Sequence, residues 1–209
     1  MKSRAIVFCG DCWHPAGLIR QELANFCADE FEFEFPQNDR LPSAQLLKDF
    51  DLAVIARANI ISENQPWLKS DAEHDLAGFV KRGGGLLAIH AGVSRYDHLP
   101  KLHHLLGGAF IGHPEICAVT LEPLGKNPVA ADMESFSAPD EHYFVRLDEH
   151  SEIFLRSRSS NGIQPAGWML NIGDGRVCVL TPGHTPEMWR HPEFQKLVRN
   201  ALHWTTTAG

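Results

Sequence analysis

In the first half of the chain, hydrophobic residues gather into short solid runs separated by stretches of helical period. Ala5-Ile6-Val7-Phe8-Cys9, Leu52-Ala53-Val54-Ile55-Ala56 and Leu86-Leu87-Ala88-Ile89 are apolar without interruption and bounded by turn residues. Such runs predict strands buried on both faces, as in the middle of a parallel sheet. Between the first and second, Leu18, Ile19, Leu23 and Phe26 recur at helical spacing behind Pro15, which suits a first helical position. Leu41 to Phe50 predicts a short helix opened by Pro42 or Ser43. Asn64 to Arg82 predicts an amphipathic helix with Trp67, Leu68, Leu76, Phe79 and Val80 on its apolar side. Phe31-Glu32-Phe33-Glu34-Phe35 alternates strictly, so it reads as a strand with one wet face near a sheet edge. Strand, helix, strand, helix, strand is the pattern of a doubly wound, mostly parallel α/β sheet with helices on both faces.

The pattern loosens after His90. Leu99 to Leu106 predicts a short helix and Gly107 to Pro114 a loop. Ile116 to Leu121, Tyr143 to Val145 and Ile153 to Arg158 read as strands. Trp168 to Ile172 and Arg176 to Leu180 flank Gly173-Asp174-Gly175 and predict a hairpin, hence an antiparallel extension in the C-terminal half. Phe194 to Trp204 predicts a closing amphipathic helix. No repeat or linker-like boundary interrupts residues 1–209, which read as one domain whose middle third extends or interrupts the sheet.

Composition narrows the function classes. The net charge is −7 over 209 residues, and no Lys/Arg stripe is present to track phosphates, so a nucleic-acid partner is not expected. No apolar run approaches membrane-spanning length, and Ala5 to Cys9 is too short for a signal sequence. Five cysteines, odd in number and mostly inside apolar runs, suit a reduced, cytoplasmic protein better than a disulfide framework. The Phe31 to Phe35 edge makes a homodimer plausible.

Candidate chemistry sits where the predicted strands end. His90 closes the glycine-led strand and His184 follows the second hairpin strand, at the carboxyl ends where open α/β sheets bind ligands. His113 and His142 lie in loops able to fold over that end. Imidazoles there serve proton transfer near neutral pH or metal ligation. Asp140-Glu141 with Tyr143 forms a second set: a carboxylate there could orient a histidine ring, act as general base or bind a sugar hydroxyl, or else be a solvated acidic turn introduced by Pro139. The Gly10 to His14 loop follows the first strand, so Asp11, Trp13 and His14 are candidate ligand contacts, Trp13 by stacking on a sugar face or simply by packing. Trp189 is a candidate cleft wall, whereas His191 and Pro192 suit capping of the last helix. Two or three histidines with Glu141 would give the N/O ligand set of a divalent metal, although no local metal motif is present and no cofactor is specified. Cys9-Gly10-Asp11-Cys12 has redox spacing, but Cys9 looks like a core residue. Gly83-Gly84-Gly85 precedes a strand, which fits a helix cap and not a nucleotide loop.

Several segments together resemble the trehalose-utilisation (ThuA-like) family. They are Gly83 to Ala91, Gly112-His113-Pro114, Asp140-Glu141-His142-Tyr143, Pro165-Ala166-Gly167-Trp168 with Gly173 to Val177, and Pro182-Gly183-His184-Thr185 with Trp189 and the final helix. The resemblance spans essentially the whole chain. It implies a flavodoxin-like sheet of the class I glutamine-amidotransferase-like kind and a role in sugar, especially disaccharide, catabolism. Amidotransferases of that fold carry a cysteine nucleophile in the turn that His90 occupies here, so glutamine hydrolysis is not expected. The resulting expectation is acid–base chemistry on a carbohydrate or keto derivative, with His90, Glu141 and His184 catalytic and Asp11, Trp13, His14, His113, Tyr143 and Trp189 contacting substrate. The alternatives are a non-catalytic sugar-binding or regulatory protein and a metal-dependent hydrolase.

Overall fold

The structure is a computed structural model that describes residues 2–37, 39–62 and 65–207. The expected strands form β1 (Ser3–Cys9), β2 (Phe31–Glu34), β3 (Leu52–Ala56) and β4 (Gly85–Ile89). They alternate with α1 (Ala16–Cys27), α2 (Ala44–Leu47) and α3 (Ser70–Lys81). A single 3-10 turn (His90–Val93) follows β4, and then come α4 (Pro100–Leu106), β5 (Gly108–Gly112), β6 (Cys117–Pro123), β7 (Phe136–Asp140) and β8 (Phe144–Leu147). The chain closes with β9 (Glu152–Ser159), β10 (Gly162–Ile172), β11 (Gly175–Leu180), α5 (Pro186–Arg190) and α6 (Pro192–Thr206).

Among the described residues, nine strands make one sheet in the order β2-β1-β3-β4-β11-β10-β9-β6-β7, and β5 pairs with β8 apart from it. The first five are parallel, the flavodoxin-like arrangement, and the rest antiparallel. Successive residues of the parallel strands serve opposite faces. Val7, Val54 and Leu87 pack with Ile19, Leu23 and Leu197 of α1 and α6, whereas Ile6, Ile55 and Ala88 pack with Leu76, Phe79 and Leu102 of α3 and α4. Helices on both faces thus explain why these strands read as unbroken apolar runs.

Local chemistry sets several boundaries. The Ser43 hydroxyl accepts from Leu46 N and starts α2, which is shorter than the 41–50 expectation. Gly83, with φ +103, ends α3: its N–H donates to Val80 O and that of Gly84 to Phe79 O, a paired cap that bears out the helix-stop reading of the glycines. The expected start of α3 at Asn64 lies outside the described residues. Trp67 and Leu68 precede the helix yet are buried. His191 caps α6 through its ring, which accepts from Glu193 N.

Three elements depart from expectation. Residues 108–112, expected as loop, form β5 because residues 144–147 supply a distant antiparallel partner. β7 runs through Pro139, which the edge of a sheet tolerates since no ladder donor is needed there. The Phe31 to Phe35 edge is less apolar to solvent than expected: Phe31 is buried, and Phe33 and Phe35 pack against the core. No described helix is long and apolar enough to cross a membrane.

Candidate functional site

The site is built from loops at the carboxyl ends of β1, β4 and β11. In the first, Asp11 accepts from Trp13 N at 2.8 Å and His14 N at 3.0 Å, an Asx-type turn. Cys9 pairs with Ala56, so this loop lies beside the one after β3, and Asp11 also accepts from Ala58 N at 2.7 Å. The His14 Nδ1 stands 2.9 Å from each Asp11 oxygen. A carboxylate can only accept, so this nitrogen carries a proton, and in the neutral ring Nε2 keeps its lone pair. Burial works against ionisation of Asp11, but the bonds from His14, Ala58 and Trp13 outweigh it and hold its pKa below the usual range.

After β4 the chain turns sharply. His90 has φ 51, left-handed for a residue with a Cβ, a conformation that costs about 1–2 kcal/mol. The turn also needs Gly92, where an added Cβ would come within 2.1 Å of Ile55 O. Gly92→Ala is therefore expected to cost roughly 1–3 kcal/mol or more, read as a lower midpoint in denaturant unfolding. Leu180 is in register with Ile89, which sets Thr181 beside His90. The His90 Nδ1–H donates to Thr181 O at 2.9 Å, and Nε2 faces the cleft.

The loop after β11 is held from far along the sheet. Asp140 ends β7 and is fully buried. Its oxygens accept from Gly183 N at 2.8 Å, His184 N at 2.8 Å and Thr185 N at 3.2 Å. Burial raises its pKa above the usual carboxylate range, against the smaller pull of nearby His90 and of the three N–H donors. Thr185 donates to Pro139 O at 2.6 Å, and the Trp189 indole donates to Gly183 O at 2.7 Å. Gly183 itself has φ +126.

Glu141 follows Asp140 and turns the other way, into the cleft. Its Oε2 is 3.3 Å from His90 Nε2 and 3.5 Å from His184 Nδ1, and its Oε1 is 3.7 Å from His113 Nε2. His184 Nδ1 and His90 Nε2 are 3.3 Å apart. Burial opposes ionisation of Glu141, yet the hydrogen bond from His90 and the charges of His90, His184 and His113 prevail and lower its pKa. Burial, reinforced by the neighbouring histidines and opposed by Glu141, holds His184 below the ordinary imidazole value, so it is neutral at pH 7.

Two clefts meet at His14 and His184. One is an apolar chamber of about 250 Å³ walled by Leu18, Ile19 and Ile89. The other is a polar cleft of about 620 Å³ bordered by Arg95, Phe110, His113, Glu141 and Tyr143. The Tyr143 ring lies 4.2 Å from that of His90. Trp13, half exposed at the mouth, has the Arg95 guanidinium 4.9 Å over its ring.

His14, His90, His113, Glu141, Tyr143 and His184 thus converge, and Trp13 stands at the rim. Asp11 is close but its oxygens are occupied by His14 and backbone donors, so it orients His14 and has no free face for a substrate. Trp189 is fully buried against Phe194 and forms no cleft wall; the strong apolarity of the indole takes it into the core, where it props Gly183. His142 points away to Ser157 and Ser159, which bond both ring nitrogens. Cys9 is buried, which raises its pKa and leaves it inert, and all five cysteines are free. Sequence reasoning paired Asp140 with Glu141 as candidate site carboxylates and missed that Asp140 anchors the loop after β11 through three backbone N–H groups. Its burial follows from alternation in β7, where Phe136, Ala138 and Asp140 share the buried face.

Residues 10–205 match the family model described as trehalose utilisation, and the chain belongs to this ThuA family, which ties it to carbohydrate metabolism. It is similar in structure to a ThuA-like protein from Parabacteroides merdae, 15% identical, with a TM-score of 0.82 over 99% of this chain and 91% of that one. A ThuA-like protein from Bacteroides uniformis, 18% identical, gives a TM-score of 0.75 over 97% of this chain and 91% of that one. A cold-adapted β-galactosidase from Rahnella sp. R3, 14% identical, gives 0.63 over 98% of this chain and 31% of that one. At these identities the likeness is one of fold. A search of curated protein sequences found no significant match.

Proposed function

We propose that this protein is an acid–base catalyst acting on an oxidised (keto) sugar derivative in disaccharide catabolism, in a reducing compartment. The observation that carries this reading is the meeting of Glu141 with His90 and His184 at the floor of a polar cleft, within 3.3 and 3.5 Å. Glu141 is ionised at neutral pH and takes a proton from the carbon next to the sugar's ketone. The electron pair moves onto the carbonyl oxygen, and His184, whose ring N–H is not taken by a backbone carbonyl as those of His90 and His113 are, is the imidazole placed to stabilise the charge. From that enolate, the pair can return to expel a glycosidic oxygen two carbons from the carbonyl, with His113 as proton donor. Alternatively, the enolate oxygen takes a proton, the adjacent hydroxyl gives one up, and reprotonation at the former carbonyl carbon yields the isomeric ketone. Trp13 offers a ring face to the sugar, Tyr143 packs between His90 and Phe110 and holds the His90 ring, and Arg95 adds charge at the rim. His90 occupies the strained turn from which an amidotransferase would present a thiolate, so glutamine hydrolysis has no nucleophile here.

The test is turnover of a panel of keto-disaccharides by the wild type and by His90→Ala. Conversion by the wild type, reduced at least about 100-fold in the folded variant, is the expected result. Binding of a sugar by calorimetry with no turnover of any panel member would replace this reading with that of a binding protein.

A further inference from the structure

The histidine cluster makes more sense once its protons are counted. His14 Nδ1–H is committed to Asp11 and His90 Nδ1–H to the Thr181 carbonyl, so both rings turn a lone pair inward when neutral. His184 presents Nδ1 and Glu141 presents Oε2 to the same point. One ligand atom from each of the four lies within 4.8 Å of all the others.

We infer that His14, His90, His184 and Glu141 form a binding site for a divalent first-row transition ion of the zinc, manganese or iron(II) class. Bonds of about 2.0–2.1 Å to nitrogen and oxygen in a tetrahedron place neighbouring ligand atoms about 3.3–3.4 Å apart. The three measured edges, His90 to His184, His90 to Glu141 and His184 to Glu141, are 3.3, 3.3 and 3.5 Å. The supporting groups are those that metal-binding histidines use. A carboxylate orients the His14 ring, and a backbone carbonyl orients the His90 ring. The donor set is three imidazoles and one carboxylate, which suits borderline transition ions better than magnesium or calcium. Ligand spacing explains why no local motif announces the site: the four ligands come from four separate loops.

The inference rests on the reading of this cluster as the reaction centre and changes the division of labour within it. An ion held through Glu141 Oε2 would leave Oε1, on the His113 side, to accept the substrate proton. The ion would supply the charge that stabilises the enolate oxygen.

The experiment uses full-length protein with any affinity tag removed, stripped by chelator and checked for folding by circular dichroism. Zinc content after equilibrium dialysis and the visible bands of the cobalt(II)-loaded protein are measured for the wild type, His14→Ala/His184→Ala, Asp11→Asn and His150→Ala. The expected result is one ion per chain with tetrahedral cobalt bands in the wild type and in His150→Ala, whose exposed ring lies outside the cluster. The double variant should lose the ion, and Asp11→Asn should weaken binding about 10–100-fold. Absence of a stoichiometric ion in the wild type, or its retention by the double variant, would overturn the assignment. Undiminished keto-sugar turnover in excess chelator would also overturn it while leaving the acid–base reading standing. A stoichiometric ion without turnover of any sugar would support the site and remove the acid–base reading instead.

Discussion

Asp140→Ala is expected to cost about 3–5 kcal/mol of folding stability and to abolish the site's geometry, although Asp140 touches no cleft. The substitution strands the N–H groups of Gly183, His184 and Thr185 in a buried place. Each orphaned donor carries a desolvation cost of about 1–3 kcal/mol, partly relieved by entering water. The loop would also lose the bond that aims His184. Asp140→Asn separates the two effects. Its oxygen can replace the Oδ1 that serves His184 and Thr185, but its NH2 would face the Gly183 N–H. The amide variant should therefore lose about 1–2 kcal/mol and fold, with His184 displaced. Denaturant unfolding reads the first loss, and the turnover of the folded amide variant reads the second.

Glu141→Gln is expected to lower turnover of a keto-disaccharide by about 10²–10⁴-fold, the usual cost of losing a positioned base. Glutamine has the shape of glutamate and no proton affinity, so the fold should persist. Glu141 is partly open to the cleft and its neighbours are imidazoles that water can serve, so stability should change little. A large loss of stability with unchanged turnover would assign Glu141 to structure. The contrast with Asp140 is informative: adjacent carboxylates on one strand end differ in which way they point, and one shapes the loop that the other works against.

The parallel half of the fold was legible in the sequence because its signal is local. Apolar runs such as Leu52 to Ala56 and the Pro15 and Gly83 boundaries depend only on near neighbours and on burial from both faces. β5 and β7 were illegible because their evidence is a distant partner: Gly108–Gly112 is a strand only beside residues 144–147, and β7 only beside β6. His90 and His184 could be placed because they follow readable strands. The role of Asp140 could not, since three strands separate β7 from β11 in the sheet and only their folding back brings it to Gly183. Trp189 was misplaced for a related reason: an aromatic near a ligand loop serves equally as wall or prop, and only burial decides. His14 was seen as a substrate contact, while its bond to Asp11 gives it the posture of a ligand.

The central claim is that Glu141 removes a proton next to a sugar ketone at this cluster. Solvent-deuterium incorporation during turnover of a keto-disaccharide in D2O, followed by proton NMR, tests it most directly. The signal of the hydrogen beside the carbonyl is expected to disappear faster with wild-type protein than without it, and at the uncatalysed rate with Glu141→Gln. Turnover with no catalysed exchange, in substrate or product, or equal exchange by the two proteins, would contradict it.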